Sequence, residues 1–144
     1  WDDILQINLK ALFFLSQAAA RVMAQQGGGK IINIASMLSF QGGILIPAYT
    51  AAKSGVAGLT RALANEWSAL NINVNAIAPG YMATDNTAAL RADPVRSRAI
   101  LERIPVGRWG KAEDLQGAVV FLASAASDYM HGSIVNVDGG WLGR

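Results

Sequence analysis

The stretch 30-KIINIAS-36, followed after a glycine-containing loop by 49-YTAAK-53, decides the fold of this chain. Residues 30–35 are rich in β-branched side chains and predict a strand buried on both faces, which ends at Ser36. Residues 48–70 change to a helical pattern, which places Tyr49 and Lys53 one turn apart on a single face. Since ligands bind at the carboxyl ends of strands in open α/β sheets, we expect a hydroxyl, a phenol and an ammonium to meet at one sheet edge.

The rest of the chain alternates helices and strands. A helix is predicted from Asp2 to about Gln25, a strand at 72–77 closed by Pro79 and Gly80, a helix at 113–125 and a strand at 133–137. This order is typical of right-handed βαβ units and predicts an α/β fold with a parallel sheet. No internal repeat or domain boundary is visible, so we expect residues 1–144 to belong to a single domain, of which they form an incomplete part.

Apolar positions at helical spacing predict which faces of the first and last helices point inward. In the first helix they are Ile4, Ile7, Ala11, Leu12, Leu15 and Ala19, and in the last helix Leu115, Ala118, Val119, Leu122 and Ala123. Asn8 lies on the same side as the first stripe and needs a partner there. A neighbouring backbone group is as good an explanation for it as a functional role.

Composition excludes several classes of protein. The 144 residues are 52% hydrophobic, and twelve basic and ten acidic residues are spread along the chain to a net charge of +2. Nucleic-acid binding is therefore not expected, because no basic face is formed. With no cysteine and one histidine, disulfides are excluded and no metal site is expected. Apolar stretches are too short to span a bilayer and no signal pattern opens the chain, so the sequence predicts a cytoplasmic protein without membrane contact.

The pairing of Tyr49 with Lys53 suggests acid/base chemistry. A free tyrosine has a pKa of about 10, and a nearby ammonium is expected to lower that pKa by roughly 1–3 units. Such a phenol can take a proton from an alcohol as hydride leaves its carbon, while Ser36 holds the same oxygen. Tyr-x-x-x-Lys alone is a weak motif, since a lysine can simply pack its stem beside a tyrosine at a helix start. The spacing of Ser36, Tyr49 and Lys53, followed by 75-NAIAPG-80, is much more specific.

These motifs make the chain resemble the C-terminal part of a short-chain dehydrogenase/reductase, over essentially all 144 residues. The resemblance implies the C-terminal half of a Rossmann-like, doubly wound parallel sheet. It also implies a catalytic set in which Tyr49 is the acid/base, Ser36 orients the substrate oxygen and Lys53 binds the nicotinamide ribose and lowers the tyrosine pKa. In the same way, Asn8 in 8-NLK-10 would hold a water in a proton relay. Coenzyme contacts are expected at Tyr49, Lys53, Pro79, Gly80, Met82 and Thr84, and 137-VDGG-140 matches the closing signature of the family.

Three segments, 34-IASMLSFQGG-43, 77-IAPGYMAT-84 and 138-DGGWL-142, are similar to the bacterial 2-deoxy-D-gluconate 3-dehydrogenases, also called 2-dehydro-3-deoxy-D-gluconate 5-dehydrogenases. This resemblance implies an oxidoreductase that transfers hydride between NAD, with NADP not excluded, and a keto-deoxy sugar acid. Substrate contacts are expected at Ser36, Leu38, Gln41 and Tyr49. Two alternatives stay open, namely a 3-oxoacyl-carrier-protein reductase and a truncated, non-catalytic assembly module.

The chain begins at Trp1 and enters a helix at once, so we expect it to belong to a longer polypeptide. The family's glycine-rich pyrophosphate turn and the residue that separates NAD from NADP are not found in it. Gly27, Gly28 and Gly29 do not replace that turn, because they follow a helix and precede a strand.

Residues 81–105 are polar, with a helical pattern from about 87 to 101, and resemble a mobile lid over the site. The arginines of this segment are more often a solvated helix face, although one of them, or Gln41, would suit an anionic sugar acid. These arginines are Arg91, Arg96, Arg98 and Arg103. His131 is expected at a surface or interface. Trp141 and the C-terminal tail are expected at a subunit contact, because relatives are commonly tetramers.

Overall fold

A three-stranded parallel sheet lies at the centre of the computed structural model, which describes residues 1–143. The strands lie side by side in the order β1 (Gly29–Ile34), β2 (Ile72–Pro79) and β3 (Ile134–Val137). Gly29 is aligned with Ile72, and Ala76 with Ile134. The predicted α/β fold with parallel strands is confirmed.

Helices connect the strands and cover the sheet. The first helical segment consists of α1 (Asp2–Leu5), a π-turn (Gln6–Lys10) and α2 (Ala11–Gln25). The others are α3 (Pro47–Trp67), α4 (Ala88–Ala92), α5 (Pro94–Leu101) and α6 (Gln116–Ala123), with short 3₁₀ turns at Met37–Ser39, Ser68–Leu70, Asp85–Thr87, Ala112–Leu115, Ala125–Ser127 and Trp141–Gly143. Gly27 and Gly28 adopt positive φ angles between α2 and β1, as expected for a helix stop.

The central strand β2 carries the core, since its residues 72–78 are all buried. Ile72 and Val74 point toward α2 and α3, where they pack with Ala20, Leu63 and Ala64. Because side chains alternate along a strand, residues 73, 75 and 77 face the opposite side of the sheet. Helix α6 also packs against β1 and β2. Helices α2, α3 and α6 therefore cover a doubly wound sheet.

Strand β1 differs from the prediction of a strand buried on both faces. Only Asn33 in it is buried, where its amide donates to Thr60 Oγ1 (3.0 Å), and Ile34 is exposed. The reason is its place in the sheet, because β1 forms an edge of the three described strands and β2 the centre. A run of β-branched residues predicts a strand but does not tell an edge from a centre.

The predicted inward face of the last helix was partly wrong, and most of the apolar stripe of the first helix is exposed within residues 1–143. In the first segment, Ile4, Ile7, Ala11 and Leu15 are exposed, and the buried positions are Ser16 and Ala20. In α6, Leu122 is buried and Ala118 is half-buried, whereas Val119 and Ala123 are exposed. Leu115, in the 3₁₀ turn before α6, is half-buried. Both segments are apolar on more than one side, so their spacing alone does not show which side meets the sheet.

The predicted helical pattern at 87–101 is divided into α4 and α5 at Asp93 and Pro94. Asp93 caps α5, since its Oδ1 accepts hydrogen bonds from Val95 N (3.0 Å) and Arg96 N (3.1 Å). Pro94 occupies the first turn, where its missing N–H costs nothing. Across residues 1–143, no helix combines the length and the apolar character that crossing a membrane requires.

Candidate active site

A cleft of about 840 Å³ opens at the carboxyl ends of β1 and β2. Ser36 follows β1, Tyr49 comes from the first turn of α3, and Gly80 follows β2. The expected substrate contacts Ser36, Leu38, Gln41 and Tyr49 all line this cleft. The structure therefore brings together the serine and the tyrosine that the sequence singled out.

Lys53 lies one turn beyond Tyr49 and is buried, with 7% of its surface exposed. Its Nζ donates to the backbone oxygen of Ile34 (2.9 Å), at the last residue of β1, and lies 5.5 Å from the centroid of the Tyr49 ring. Burial lowers the pKa of the Lys53 ammonium. The lysine thus joins α3 to the end of β1 beside the tyrosine.

The pKa of Tyr49 differs from the expectation. Burial raises the pKa of the Tyr49 phenol above its ordinary value, and a hydrogen bond with the Ser36 side chain opposes this in part. The pKa of Tyr49 is therefore raised, whereas the sequence predicted that Lys53 would lower it. Desolvation disfavours a charged phenolate, and here it outweighs the serine hydrogen bond.

Ser39 was missed by the sequence reasoning, yet it holds the site together. Its hydroxyl donates to the backbone oxygen of Lys53 (2.7 Å) and accepts from the backbone N–H of Ser36 (3.3 Å). Ser36 Oγ in turn accepts from Leu38 N (3.2 Å). Ser39 therefore links the turn that carries Ser36 to the helix that carries Tyr49 and Lys53. Its position three residues after a serine at a strand end is the signal that could have identified it.

Asn8 lies in the π-turn, and its amide donates to the backbone oxygen of Ile4 (3.1 Å). The π-turn packs on α3, where Leu9 meets Gly55 so closely that a Cβ on the glycine would lie 2.9 Å from the leucine methyl groups. Asn8 is half-buried and is not part of the cleft lining. A backbone partner for Asn8 was one of the two readings that its position left open, and π-turns are frequent at functional sites.

The expected coenzyme contacts are distributed over two places. Gly80 lines the cleft and approaches β3 closely, since a Cβ there would lie 2.6 Å from Asp138 Cα. Met82 is buried and pairs with Gly110 outside the cleft lining. Thr84 is exposed before the Asp85–Thr87 turn, and its N–H donates to Thr87 Oγ1 (3.2 Å). Of the four expected contacts Pro79, Gly80, Met82 and Thr84, Gly80 alone lines the cleft that holds Ser36 and Tyr49. Pro79 ends β2 directly before it.

Trp141 lies within its own chain. Only 4% of its surface is exposed, and its ring contacts Tyr81 edge-on at 4.8 Å between centroids. Residues of the same chain therefore bury the Trp141 ring, and the subunit contact of the C-terminal tail stays a prediction. The last residue of the tail, Arg144, lies outside the described residues. His131 is exposed, as expected, and its Nε2 lies 3.2 Å from Asn73 Nδ2.

The residues at the cleft fit the ribose end of a nicotinamide coenzyme. The Tyr49 hydroxyl and the Lys53 ammonium lie on one face of α3, and only one of the three ammonium hydrogens is needed for the bond to Ile34. Ribose hydroxyls accept and donate hydrogen bonds to such groups.

Comparisons with known proteins agree with this geometry. Residues 1–142 match the family model described as enoyl-(acyl carrier protein) reductase. The chain is 67% identical to the 2-dehydro-3-deoxy-D-gluconate 5-dehydrogenase of Escherichia coli and 62% identical to that of Bacillus subtilis. Both matches cover 100% of this chain and 57% of the relative. The chain therefore spans little more than half the length of these relatives.

Solved structures of similar sequence have the same fold as this chain. A crystal structure from Agrobacterium tumefaciens, described as a candidate 2-deoxy-D-gluconate 3-dehydrogenase with bound NADP, superposes with a TM-score of 0.98 at 67% identity. The match covers 100% of this chain and 59% of that one. The chain folds as the corresponding part of that protein.

Proposed function

The chain belongs to the short-chain dehydrogenase/reductase family, and we propose that the full-length protein is a nicotinamide-dependent oxidoreductase acting on a secondary alcohol or ketone. The observation that carries the proposal is the placement of Ser36 and Tyr49 in one cleft, with Lys53 beside the tyrosine. The coenzyme, when bound, supplies or accepts the hydride. We expect NAD and do not exclude NADP, which the related Agrobacterium structure contains.

The proposed roles follow from the chemistry of each side chain. The Tyr49 hydroxyl gives a proton to the carbonyl oxygen during reduction and takes it back from the alcohol during oxidation. Ser36 hydrogen-bonds the same oxygen and fixes its position. Lys53 donates to the ribose while holding α3 to β1. Asn8, in the π-turn against α3, would hold a water that resupplies the proton.

We propose a keto-deoxy sugar acid as the substrate. The names of the E. coli and B. subtilis relatives support this class, and so does the pair of arginines, Arg96 and Arg103, that line the cleft. Residues 81–105 contribute five residues to the cleft lining and would act as its lid.

The protein is further proposed to be cytoplasmic and to form a homotetramer. The exposed apolar positions of the first helix support the assembly.

The experiment is a hydride-transfer assay of the full-length protein with 2-dehydro-3-deoxy-D-gluconate and NAD or NADP. Tyr49→Phe is expected to reduce kcat by a factor on the order of 10²–10⁴, because the proton acceptor is lost. Coenzyme binding, measured by titration, serves as the control for folding. A Tyr49→Phe variant with full activity and intact binding would contradict the assigned role.

A second candidate, a 3-oxoacyl-carrier-protein reductase, is favoured by one observation. Ile44, Leu45 and Ile46 line the cleft and are exposed, as would suit an acyl chain. Activity on acyl thioesters without activity on sugar acids would select it.

A non-catalytic assembly module is the alternative from another class. Titration of the 144-residue chain with NADH distinguishes it, because micromolar binding would contradict a module without a coenzyme site. The intact mass of the natural protein would show whether further residues belong to the same polypeptide.

A further inference from the structure

We propose that Arg103, stacked on the ring of Trp141, acts together with Gln41 to bind the carboxylate of the substrate. We call these three residues the acid-binding cluster. The inference rests on the proposed function and names the part of the same cleft that recognises the acid group.

The structure separates the four arginines of the lid segment. Arg96 and Arg103 line the cleft, whereas Arg91 and Arg98 do not. The guanidinium of Arg91 donates to the backbone oxygen of Thr84 (3.1 Å). Arg103 Cζ lies 4.0 Å from the centroid of the Trp141 ring, a contact that Arg96 does not make within residues 1–143. Arg103 is therefore the cleft arginine with a defined position.

Stacking fixes the guanidinium without using its hydrogen-bond donors. Arg103 Cζ lies over the indole ring, and a guanidinium held by such a contact keeps the N–H groups along its edge for a ligand. The indole itself is held firmly, because Trp141 is buried and contacts Tyr81. Ile104, the residue after Arg103, is also buried in the same apolar cluster. The Arg103 side chain is exposed and can reach a ligand, while the backbone beside it is held in place by the buried Ile104.

The second donor comes from Gln41. Trp141 Nε1 lies 3.3 Å from Gln41 Oε1. Since an indole N–H can only donate, the amide oxygen must face the indole, and the NH₂ group of Gln41 is turned away from it. A guanidinium edge and an amide NH₂ held by one tryptophan form a donor set that suits a carboxylate. A neutral thioester offers the guanidinium no charged partner, so it forms no charge-assisted bond with this donor set.

The placement has a consequence for the reaction. Ser36 and Tyr49 belong to the same cleft but not to the acid-binding cluster. When Arg103 and Gln41 hold the carboxylate, a carbon farther along the sugar chain, and not the carboxylate carbon itself, meets Tyr49. The cluster would therefore select which carbon of a sugar acid exchanges hydride.

The first test compares Arg103→Met with Arg98→Met in the full-length protein. Both variants remove one positive charge from the same segment, but only Arg103 lines the cleft. Arg103→Met is expected to raise the KM for 2-dehydro-3-deoxy-D-gluconate by roughly 10–100-fold with kcat changed by less than about threefold, because a charge-assisted hydrogen bond to the substrate is lost. The KM for the neutral amide of the same sugar should stay unchanged, and Arg98→Met should alter neither. An unchanged preference for the acid over the amide in Arg103→Met would overturn the proposal.

The second test measures binding without turnover. Gluconate is titrated calorimetrically into the full-length protein saturated with coenzyme, using wild type, Arg103→Met, Arg103→Lys and Arg98→Met. Wild type and Arg98→Met are expected to bind, Arg103→Met to lose at least about tenfold in affinity, and Arg103→Lys to fall between them, because it keeps the charge and loses the planar stack. Equal affinities, or no gluconate binding by wild type, would overturn the inference. Gluconate binding that depends on Arg103, without turnover of any sugar acid, would instead refute the proposed function alone.

Discussion

At the scale of single residues, the protonation of Tyr49 governs the direction of the proposed chemistry. Oxidation needs the phenolate as a base, and reduction needs the phenol as an acid. Burial raises the pKa of Tyr49 above 10.0, its ordinary value, so the phenol is the main form at neutral pH. The base form increases only as the pH rises toward that pKa.

We therefore predict that the oxidation rate, measured as kcat/KM between pH 7 and 10, rises by up to about tenfold per pH unit. The reduction rate should stay nearly constant over the lower part of this range. The measurement is a pH profile of the full-length protein in both directions. A plateau of the oxidation rate below pH 8 would contradict the prediction. It would show that charges near the Tyr49 phenol lower its pKa by more than burial raises it.

Ser39 gives a second prediction at this scale. Removing its hydroxyl leaves the backbone oxygen of Lys53 and the N–H of Ser36 without this partner. Ser39→Ala should lower kcat several-fold with little change in KM, because Ser36 and Tyr49 lose their fixed separation, and should cost about 1–2 kcal/mol of unfolding free energy. Ser39→Thr keeps a hydroxyl and should recover most of the rate. Ser54→Ala is the matched control, since the Ser54 hydroxyl bonds only Leu38 O, at 3.3 Å. Equal kcat in the wild type and Ser39→Ala would refute the positioning role.

The sequence predicted the positions of Ser36, Tyr49 and Lys53 better than it predicted their surroundings. Ser36, Tyr49 and Lys53 could be found from spacing, because a strand end and one helical turn fix where they lie. The pKa of Tyr49 could not be predicted, since its burial depends on residues distant in sequence. Arg103 could not be distinguished from Arg96 for the same reason, because its partner Trp141 comes from the end of the chain.

At the scale of elements, two asparagines of β2 hold the turn that leads into β3. Asn73 Nδ2 donates to Asp128 O and Met130 O (both 2.9 Å). Asn75 Nδ2 also donates to Met130 O (2.8 Å), and its Oδ1 accepts from Ser133 N (2.9 Å). Polar side chains in a central strand thus add to the backbone bonds that hold this turn, among them Gly132 N to Val74 O (2.8 Å).

We predict that Asn75→Ala lowers the unfolding free energy by about 2–4 kcal/mol, because it removes two buried hydrogen bonds and leaves a small cavity. Asn75 is only 1% exposed. Asn136→Ala on β3 is the control, since Asn136 is exposed, and it should change stability by less than about 0.5 kcal/mol. Urea denaturation of the full-length protein measures both. Similar losses for the two variants would argue against the role of the Asn75 bonds.

The elements also show where periodicity fails as a guide. The positions of the strands and of α3 follow from β-branched runs and three-and-four spacing. The π-turn at Asn8 could not be predicted, because nothing in local sequence distinguishes it from a regular helix. The inward faces of the first helix and of α6 could not be chosen, since apolar residues occur on several sides of each.

At the scale of the whole molecule, the first helix leaves large apolar side chains uncovered. Leu15 is 73% exposed and Ile7 70% exposed within the chain. Exposed apolar patches of this kind mark protein contacts, which agrees with the proposed tetramer.

We predict that Leu15→Glu shifts the full-length protein to smaller assemblies, because a charge would be buried without a partner in the contact. The fold itself should persist, since Leu15 buries little surface in its own chain. Light scattering after size-exclusion chromatography measures the mass, and circular dichroism measures the fold. Gln25→Glu adds the same charge on the same helix at an exposed site and should leave the mass unchanged. An unchanged mass in Leu15→Glu would place the contact elsewhere.

The order of strands in the sheet also determines how the chain can fold. Gly29 pairs with Ile72 and Ala76 with Ile134, so each strand pair joins segments that are far apart in the sequence. Parallel strands cannot be joined by a hairpin. The helix between two strands must pack across the sheet before the strands can form their hydrogen bonds. Folding of this chain therefore depends on long-range loop closure and should be slower than that of a helical bundle. β2 is the element on which both closures depend, and its assembly would set the rate.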